Sequence, residues 1–197
     1  MNICCLDLEG VLVPEIWIRV SERTKIRELR LTTRDIPDYD ALMKRRIGIL
    51  KDHKIKLKDI QKVIASIDPL PGAKAFLDKL RGVAQTIILS DTYYEFSMPL
   101  MKKLGSPTLF CNTLKIDSRG YISDYVLRQQ NGKEKSVMAL KSLGFFVKAA
   151  GDSYNDVTML QAAHEGVLYN PPPNIQKEYP QFPIAKHYKA LLKILTA

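Results

Sequence analysis

A short apolar run at residues 3–8 that ends in acidic residues and a glycine constrains the fold of this chain more than any other feature. Such a run is typical of a buried strand, and the glycine marks the turn that follows it. Two later segments, residues 83–89 and 145–150, are also predicted as buried strands and likewise lead into polar residues. We therefore expect several buried strands that all deliver polar side chains to the turns behind them.

Helical and strand-like segments alternate along residues 70–197. This alternation predicts an α/β fold, a doubly wound parallel sheet covered by helices on both faces. The predicted helices cover residues 72–80, 93–104, 133–143, 153–163 and 187–195, and the predicted strands cover residues 83–89, 108–111, 145–150 and 166–169. Residues 114–116 and 121–127 predict a hairpin, and residues 170–186 predict a proline-rich loop.

A further segment, residues 14–69, comes directly after the first strand and carries only helical patterns. Apolar residues recur at helical spacing in three stretches, and a proline bounds the segment at each end. We therefore predict two parts, a catalytic core of residues 1–13 and 70–197 and a helical cap of residues 14–69.

The composition excludes several classes of protein. Of the 197 residues, 46% are hydrophobic and 26% are charged, which is typical of a globular protein and not of a disordered one. No run approaches the ~18 apolar residues of a membrane-spanning helix, and no basic segment of a secretory signal precedes the first acid. The three cysteines lack zinc-ligand spacing, so we expect reduced, buried thiols in a cytoplasmic protein with no membrane partner.

The net charge of +9 requires that a nucleic-acid-binding module be considered. The basic residues are spread over helical segments and form no arginine-rich tract with interleaved aromatic residues, which argues against nucleic acid as a partner. A solvated surface explains the excess, and so does electrostatic attraction of a small anion such as a phosphate ester.

Carboxylates follow three of the predicted strands as Asp7, Asp91 and Asp152. The carboxyl ends of parallel strands meet at one edge of a sheet, where ligands bind. Buried carboxylates repel one another unless a cation offsets their charge. A hard divalent cation with oxygen ligands fits this requirement, so we predict Mg²⁺ and not zinc.

The same residues predict phosphoryl transfer through a covalent intermediate. Asp7 can act as the nucleophile and form an aspartyl-phosphate. Glu9 can protonate the leaving oxygen and then activate water, and Ser90 offers its hydroxyl to phosphate oxygens. A lysine completes the charge balance; Lys133, at a predicted helix start, is the first candidate and Lys135 is its rival.

Some of these acids also have a purely structural interpretation. Asp91 can cap the helix predicted from residue 93 instead of contacting substrate, and Asp152 and Asp156 can cap the helix behind them. Capping and metal binding are compatible, and Asp156 is the stronger candidate for a structural role.

Four motifs, in this order, resemble those of the haloacid dehalogenase-like superfamily of phosphotransferases. They are residues 7–11, Ser90 with Asp91, Lys133, and residues 151–156. The resemblance covers essentially the whole chain and implies a Rossmann-like core, a magnesium cofactor and an aspartyl-phosphate intermediate. The helical insert resembles the small cap of the phosphoserine phosphatase group.

Within that group, residues 5–18, 33–40 and 149–156 resemble members that also transfer the phosphoryl group to homoserine. Phosphoserine is therefore the implied substrate and homoserine a further acceptor. The sequence does not fix the oligomeric state, and a dimer is compatible with it.

The resemblance also implies roles for individual residues. Asp7 is implied as nucleophile and metal ligand, Asp152 as a second ligand, and the backbone carbonyl of Glu9 as a third. Asp156 is implied to support the water shell of the metal.

The substrate contacts implied by the resemblance come from both parts of the chain. Ser90, Lys133 and Asn155 are implied to hold the phosphate. Glu15 and Arg46 of the cap are implied to bind the ammonium and the carboxylate of the substrate. A carboxylate and a guanidinium set apart suit the zwitterionic end of an amino acid.

Glu9 departs from the family pattern, which has aspartate at this position. Its extra methylene group can position water less well, so our hypothesis is that Glu9 favours transfer to an alcohol such as homoserine. Two alternatives stand beside this function: a phosphatase of the same family for a sugar phosphate or nucleotide, and a basic nucleic-acid-binding module without catalysis.

Overall fold

The computed structural model describes residues 1–32, 35–36 and 38–197 of this α/β protein. Three positions of the segment 33–40 therefore lie outside the described residues. The strands are β1 (Asn2–Leu6), β2 (Gln85–Tyr93), β3 (Thr108–Ile116), β4 (Ile122–Val126), β5 (Phe146–Gly151), β6 (Glu165–Tyr169) and β7 (Ile184–Ala185). The helices are α1 (Ile16–Thr24), α2 (Tyr39–Asp52), α3 (Leu57–Ala65), α4 (Ala73–Arg81), α5 (Tyr94–Lys103), α6 (Gly132–Ser142), α7 (Val157–Ala162), α8 (Pro173–Glu178) and α9 (Tyr188–Thr196), with 3₁₀ turns at Arg27–Arg30 and Tyr154–Asp156.

The seven strands form one sheet in the order β4-β3-β2-β1-β5-β6-β7. Neighbouring strands are parallel except β3 and β4, which form an antiparallel hairpin. The predicted doubly wound α/β fold is thus confirmed. The chain winds outward from β1 to β2 and β3, then returns to β5 on the other side of β1. This reversal creates the crevice at the carboxyl end of β1 in which ligands of such sheets bind.

Two hydrophobic clusters cover the two faces of the sheet. Cys4 belongs to one cluster and Cys5 to the other, since successive side chains of a strand point to opposite faces. All three cysteines are free thiols. The burial of both faces explains why residues 3–6 of β1 form an unbroken apolar run.

Between β1 and α4, the described residues form helices and one 3₁₀ turn but no strand of the sheet. The Asp38 side chain caps α2 by accepting hydrogen bonds from the backbone N–H groups of Asp40 and Ala41. Helical spacing continues past residue 24 in the sequence, yet α1 ends there because Lys25 adopts the left-handed conformation (φ 61°).

Several elements differ from their predicted extent. The helix predicted over residues 153–163 is a 3₁₀ turn at Tyr154–Asp156 followed by α7. β2 continues through Ser90 to Tyr93, so its polar residues belong to the strand itself. β3 is continuous over residues 108–116 because it accommodates the polar, buried Asn112. The Nδ2 of Asn112 donates to the Asp91 carbonyl at 3.1 Å, and its Oδ1 accepts from Arg128 N at 3.0 Å. The predicted loop 170–186 contains α8 and β7. Both are too short to show a helical or strand-like hydrophobic period in the sequence.

No helix among the described residues is long and apolar enough to cross a lipid bilayer.

Candidate active site

The ends of β1 and β5 bring two carboxylates together at one edge of the sheet. Asp7 follows β1, and its N–H donates to the Ala150 carbonyl in β5 at 2.9 Å. Asp152 follows β5 and packs against Gly10. Gly10 has a φ of +78°, and any Cβ atom there would overlap the Asp152 carboxylate. Both the backbone conformation and this close approach therefore require glycine.

Lys133 is a buried ammonium group among carboxylates. From the first turn of α6, its Nζ lies 2.9 Å from Asp7 Oδ1, 2.7 Å from Asp156 Oδ1 and 3.7 Å from Asp91 Oδ2. Burial disfavours the charged form, but the attraction of Asp156 and Asp7 outweighs it and raises the pKa of Lys133 well above its usual value. Lys135, the rival in the sequence, is exposed on α6.

Asp156 is fully buried, and both of its carboxylate oxygens have partners. Oδ1 accepts from Lys133, while Oδ2 accepts the backbone N–H groups of Asp152 at 3.0 Å and Ser153 at 3.1 Å. Asp156 thereby caps the 3₁₀ turn, which corresponds to the structural interpretation of this residue. It also holds Lys133 in position and orients the turn that carries Asp152.

Carboxylate oxygens of Asp7, Asp152 and Asp156 all lie within 4.8 Å of one another. Burial and the charge of Asp156 raise the pKa of Asp7 well above its usual range and that of Asp152 to about 7. A hard divalent cation would offset this unfavourable concentration of charge. Since the oxygens of Asp156 are engaged, Asp7 and Asp152 are the residues of this cluster that fit such an ion.

Glu9 makes a contact that sequence reasoning missed. Its Oε2 accepts the N–H of Ile16 at 2.8 Å, so its side chain satisfies a backbone donor in the first turn of α1. Burial and the neighbouring Glu15 carboxylate raise the pKa of Glu9 to about 8. The raised pKa favours the protonated form of Glu9, which is the form that a general acid requires.

Arg46 of α2 is buried, with its guanidinium 4.4 Å from the centre of the Trp17 ring. Its Nη2 donates to the Leu31 carbonyl at 2.8 Å, but its buried Nε has no hydrogen-bond partner among the described residues. A buried donor without a partner is costly and indicates an acceptor on a bound ligand. Glu15, at the start of α1, is exposed and faces the same cavity.

Asp91 does not cap a helix, so its capping interpretation is wrong. α5 begins at Tyr94 and has no side-chain cap. Asp91 Oδ2 instead accepts from Asn155 Nδ2 at 3.1 Å, across the crevice between β2 and the 3₁₀ turn. The hydroxyl of Ser90 accepts the N–H of Thr92 at 3.2 Å on the same side of the crevice.

A cavity of about 330 Å³ connects these groups and is called the substrate cavity below. Its wall includes eight residues that the sequence predicted as site residues: Asp7, Glu9, Glu15, Arg46, Ser90, Asp91, Lys133 and Asn155. Asp152 and Asp156 adjoin Asp7 just behind this wall.

Two tyrosines of the substrate cavity were missed by sequence reasoning. The hydroxyls of Tyr39 and Tyr93 are 2.7 Å apart, and the Tyr39 hydroxyl also donates to the Asp91 carbonyl at 3.3 Å. Aromatic residues at a helix start and a strand end are ordinary core residues by pattern. Only the packing of α2 against the end of β2 gives them a place in the site.

Comparison with known proteins reveals related sequences over nearly the whole chain. A family model for haloacid dehalogenase-like hydrolase matches residues 1–164. The chain is 58% identical over 191 residues to phosphoserine phosphatase ThrH of Pseudomonas aeruginosa, covering 97% of this chain and 93% of that protein. It is 55% identical over 193 residues to a phosphoserine phosphatase of Pseudomonas syringae pv. tomato, covering 98% of this chain and 81% of that protein.

A crystal structure of a phosphoserine phosphatase in its apo form has a similar fold, with a TM-score of 0.79 at 21% sequence identity and 98% of each chain covered.

Proposed function

The chain belongs to the haloacid dehalogenase-like hydrolases, and from that premise we propose that it hydrolyses phosphoserine through a phosphoryl group carried by Asp7. Two relatives that are more than half identical to this chain bear the name phosphoserine phosphatase. The observation that carries the proposal is the buried pair of Asp7 and Lys133, 2.9 Å apart, in a cavity that Arg46 and Glu15 also line. Phosphoserine has a phosphate for the first pair and a zwitterionic end for the second.

In the first half-reaction, a carboxylate oxygen of Asp7 attacks phosphorus while the bond from phosphorus to the seryl oxygen breaks. Lys133 stabilises the negative charge on the non-bridging phosphate oxygens, and the Ser90 hydroxyl donates a hydrogen bond to them. The departing seryl oxygen takes the proton of Glu9, so serine leaves with a neutral hydroxyl.

In the second half-reaction, water attacks the phosphoryl group and gives a proton to the carboxylate of Glu9. The bond from phosphorus to Asp7 breaks, inorganic phosphate is formed, and Asp7 is again a carboxylate. Glu9 ends the cycle protonated, as it began.

We propose Mg²⁺ as the cofactor. Asp7 and Asp152 would hold the ion, with the backbone carbonyl of Glu9 as a third ligand. Bound there, the ion would neutralise the negative charge of the phosphoryl group. Asp156 serves indirectly, since its hydrogen bonds hold Lys133 and the backbone of Asp152.

Arg46 and Glu15 give the selectivity for an amino acid. The unpartnered Nε of Arg46 supports a guanidinium that binds the substrate carboxylate, and the exposed Glu15 carboxylate pairs with the ammonium group. Asn155 orients the phosphate from the turn behind β5.

The test is phosphate release from phosphoserine with Mg²⁺ and with a chelator, for the natural protein and for Arg46→Lys and Glu15→Gln. A matched substrate, p-nitrophenyl phosphate, lacks the amino-acid end. We expect Mg²⁺-dependent release, and we expect each substitution to lower kcat/KM for phosphoserine by about tenfold or more, with little change for the aryl ester. Equal losses on both substrates would instead favour a different phosphomonoester.

We further propose that homoserine replaces water as acceptor. Its hydroxyl would attack the phosphoryl group on Asp7 and give its proton to Glu9. Adding homoserine to the same assay should then yield phosphohomoserine at the expense of inorganic phosphate. Phosphate release that homoserine does not change would leave a hydrolase without transferase activity.

A further inference from the structure

A second cavity, of about 580 Å³, adjoins the substrate cavity and is called the side cavity below. The two cavities share six lining residues: Tyr39, Ser90, Asp91, Lys133, Tyr154 and Asn155. Four of them, Ser90, Asp91, Lys133 and Asn155, surround the expected phosphate position. The side cavity extends from buried Lys133 to the exposed loop at residues 128–131. It therefore connects the phosphate position with solvent without passing Glu15 or Arg46.

Two of these shared residues face each other across the crevice. Asp91 and Asn155 line both, and a single hydrogen bond of 3.1 Å joins their side chains. The Asp91 side chain is 48% exposed, so the bond can open by side-chain rotation alone.

A positively charged side chain lies at each end of the side cavity. Lys133 lies at its inner end and Arg128 at its mouth. The Arg128 guanidinium is held by a hydrogen bond of 2.8 Å from Nη2 to Ser136 Oγ and lies 5.0 Å from the centre of the Phe110 ring. Within the described part of the chain, its Nη1 and Nε donate no hydrogen bond, so they can bind an oxyanion.

The cavity also contains two acids, Asp91 and Glu134. Asp91 lies 3.7 Å from Lys133 and accepts from Asn155, so its charge is already partly compensated. The free guanidinium edge at the mouth is thus the feature that selects an anion.

We infer that the side cavity binds inorganic phosphate and releases it to solvent on the side away from the amino-acid end of the substrate cavity. This inference rests on the proposed function, because phosphate is the product of that reaction. Phosphate formed against Lys133 lies deeper than the amino acid, so a separate route lets it leave while an amino acid still occupies the outer part of the substrate cavity.

The first test is calorimetric titration of the full chain with inorganic phosphate. Arg128→Gln should weaken phosphate binding by about fivefold, because it removes a charged hydrogen-bond donor. Arg119→Gln is the matched control: it lowers the net charge equally at a side chain that is 73% exposed on the hairpin turn, and it should leave binding unchanged. Equal phosphate affinities of the two variants would overturn the inference.

The second test blocks the mouth of the side cavity with Gln130→Trp, and Gln181→Trp serves as a control at an exposed position beside β7. Phosphate release follows serine release, so Gln130→Trp should lower kcat severalfold while kcat/KM for phosphoserine stays within about twofold. An unchanged kcat, or an equal loss of kcat/KM, would contradict the exit route.

The two proposals fail in different ways. Titration with phosphate needs no turnover, so a protein that binds phosphate through Arg128 but does not hydrolyse phosphoserine contradicts the proposed function and not the site. A protein that hydrolyses phosphoserine but shows no effect of Arg128→Gln or Gln130→Trp contradicts only the side cavity.

Discussion

Lys133 compensates two buried carboxylates, Asp7 and Asp156, and each of these three charges depends on the others. Their side chains are almost completely inaccessible, at 5% exposure for Lys133 and Asp7 and 0% for Asp156. Removing one partner of a buried ion pair leaves an uncompensated charge, which costs far more than the intact pair contributes. The residue proposed to bind phosphate is therefore also needed for the stability of the folded protein.

We expect Lys133→Gln to abolish phosphoserine hydrolysis and to lower the free energy of unfolding by about 3 kcal/mol. Added Mg²⁺ should recover part of the lost stability, because a cation again offsets the carboxylates. Urea unfolding with and without Mg²⁺ measures both effects. Lys135→Gln is the control two residues away; a comparable loss of activity in that variant would assign the phosphate to the rival lysine.

The Glu9 side chain links the end of β1 to the first turn of α1 by accepting the Ile16 N–H. An aspartate side chain is one methylene group shorter, so we expect it not to reach this N–H group. Glu9→Gln keeps an oxygen that can accept from Ile16 N, whereas Glu9→Asp keeps the acid and loses that bond. We expect Glu9→Gln to retain stability but to lose activity, and Glu9→Asp to lose about 1 kcal/mol of stability.

The product ratio tests the hypothesis that glutamate favours transfer. Glu9→Asp should raise the ratio of inorganic phosphate to phosphohomoserine when homoserine is present. An unaltered ratio in that variant would reject the hypothesis. The extra methylene group of Glu9 would then serve only to reach the N–H of Ile16.

At the scale of elements, the β3–β4 hairpin contacts the described helices of residues 14–69 through hydrogen bonds and ring packing. Leu57 N, at the start of α3, donates to the Gly120 carbonyl in the hairpin turn at 3.0 Å. The Tyr125 hydroxyl in β4 donates to Asp40 Oδ1 in α2 at 2.8 Å. The hairpin therefore holds α2, which carries Arg46, and α3 against the sheet that positions Asp7.

Tyr125→Phe should loosen this contact without disturbing the ring packing of Tyr125 on Tyr39, whose centres are 5.7 Å apart. Loss of one exposed hydrogen bond is expected to cost about 0.5–1 kcal/mol. Because Arg46 would then be held less firmly, KM for phosphoserine should rise more than kcat falls. Tyr121→Phe, in the same hairpin, should change neither; a fall in kcat alone for Tyr125→Phe would contradict this role.

The ends of helices and strands were predictable only where the hydrophobic pattern of neighbouring residues sets them. Buried strands such as β1 and β5 consist mostly of apolar residues, so their positions follow from the sequence. The continuation of β3 through Asn112 does not, because it depends on partners in β2 and in the segment before α6. The division of the chain into a catalytic core and a cap of residues 14–69 assigns functions as well as structural units. It stays a prediction.

At the scale of the whole molecule, the site is an assembly of charges from distant parts of the chain. The carboxylates of Asp7 and Asp152 repel each other, and burial raises the pKa of each. An ion that binds the folded protein and not the unfolded chain stabilises it by an amount that grows with concentration.

Mg²⁺ is therefore expected to raise the melting temperature of the natural protein, and a chelator to reverse this rise. Asp152→Asn should remove most of the response while leaving the metal-free protein as stable or more stable, because one repelling charge is gone. Differential scanning calorimetry over a Mg²⁺ series measures both. A response that survives Asp152→Asn would mean that the ion binds elsewhere.

The sequence by itself determined the fold class and the candidate chemistry. Buried strands, turns and the residues behind them are local patterns, and the topology rule for parallel sheets brings Asp7, Ser90 and Asp152 to one edge without further information. Only the tertiary structure showed that Lys133 is buried beside Asp7 while Lys135 is exposed. The same holds for the contact of Asp91 with Asn155 and for the hydrogen bond from Ile16 N to Glu9. Each depends on which side chains become neighbours across the crevice, and these distances are set by packing between segments far apart in the chain.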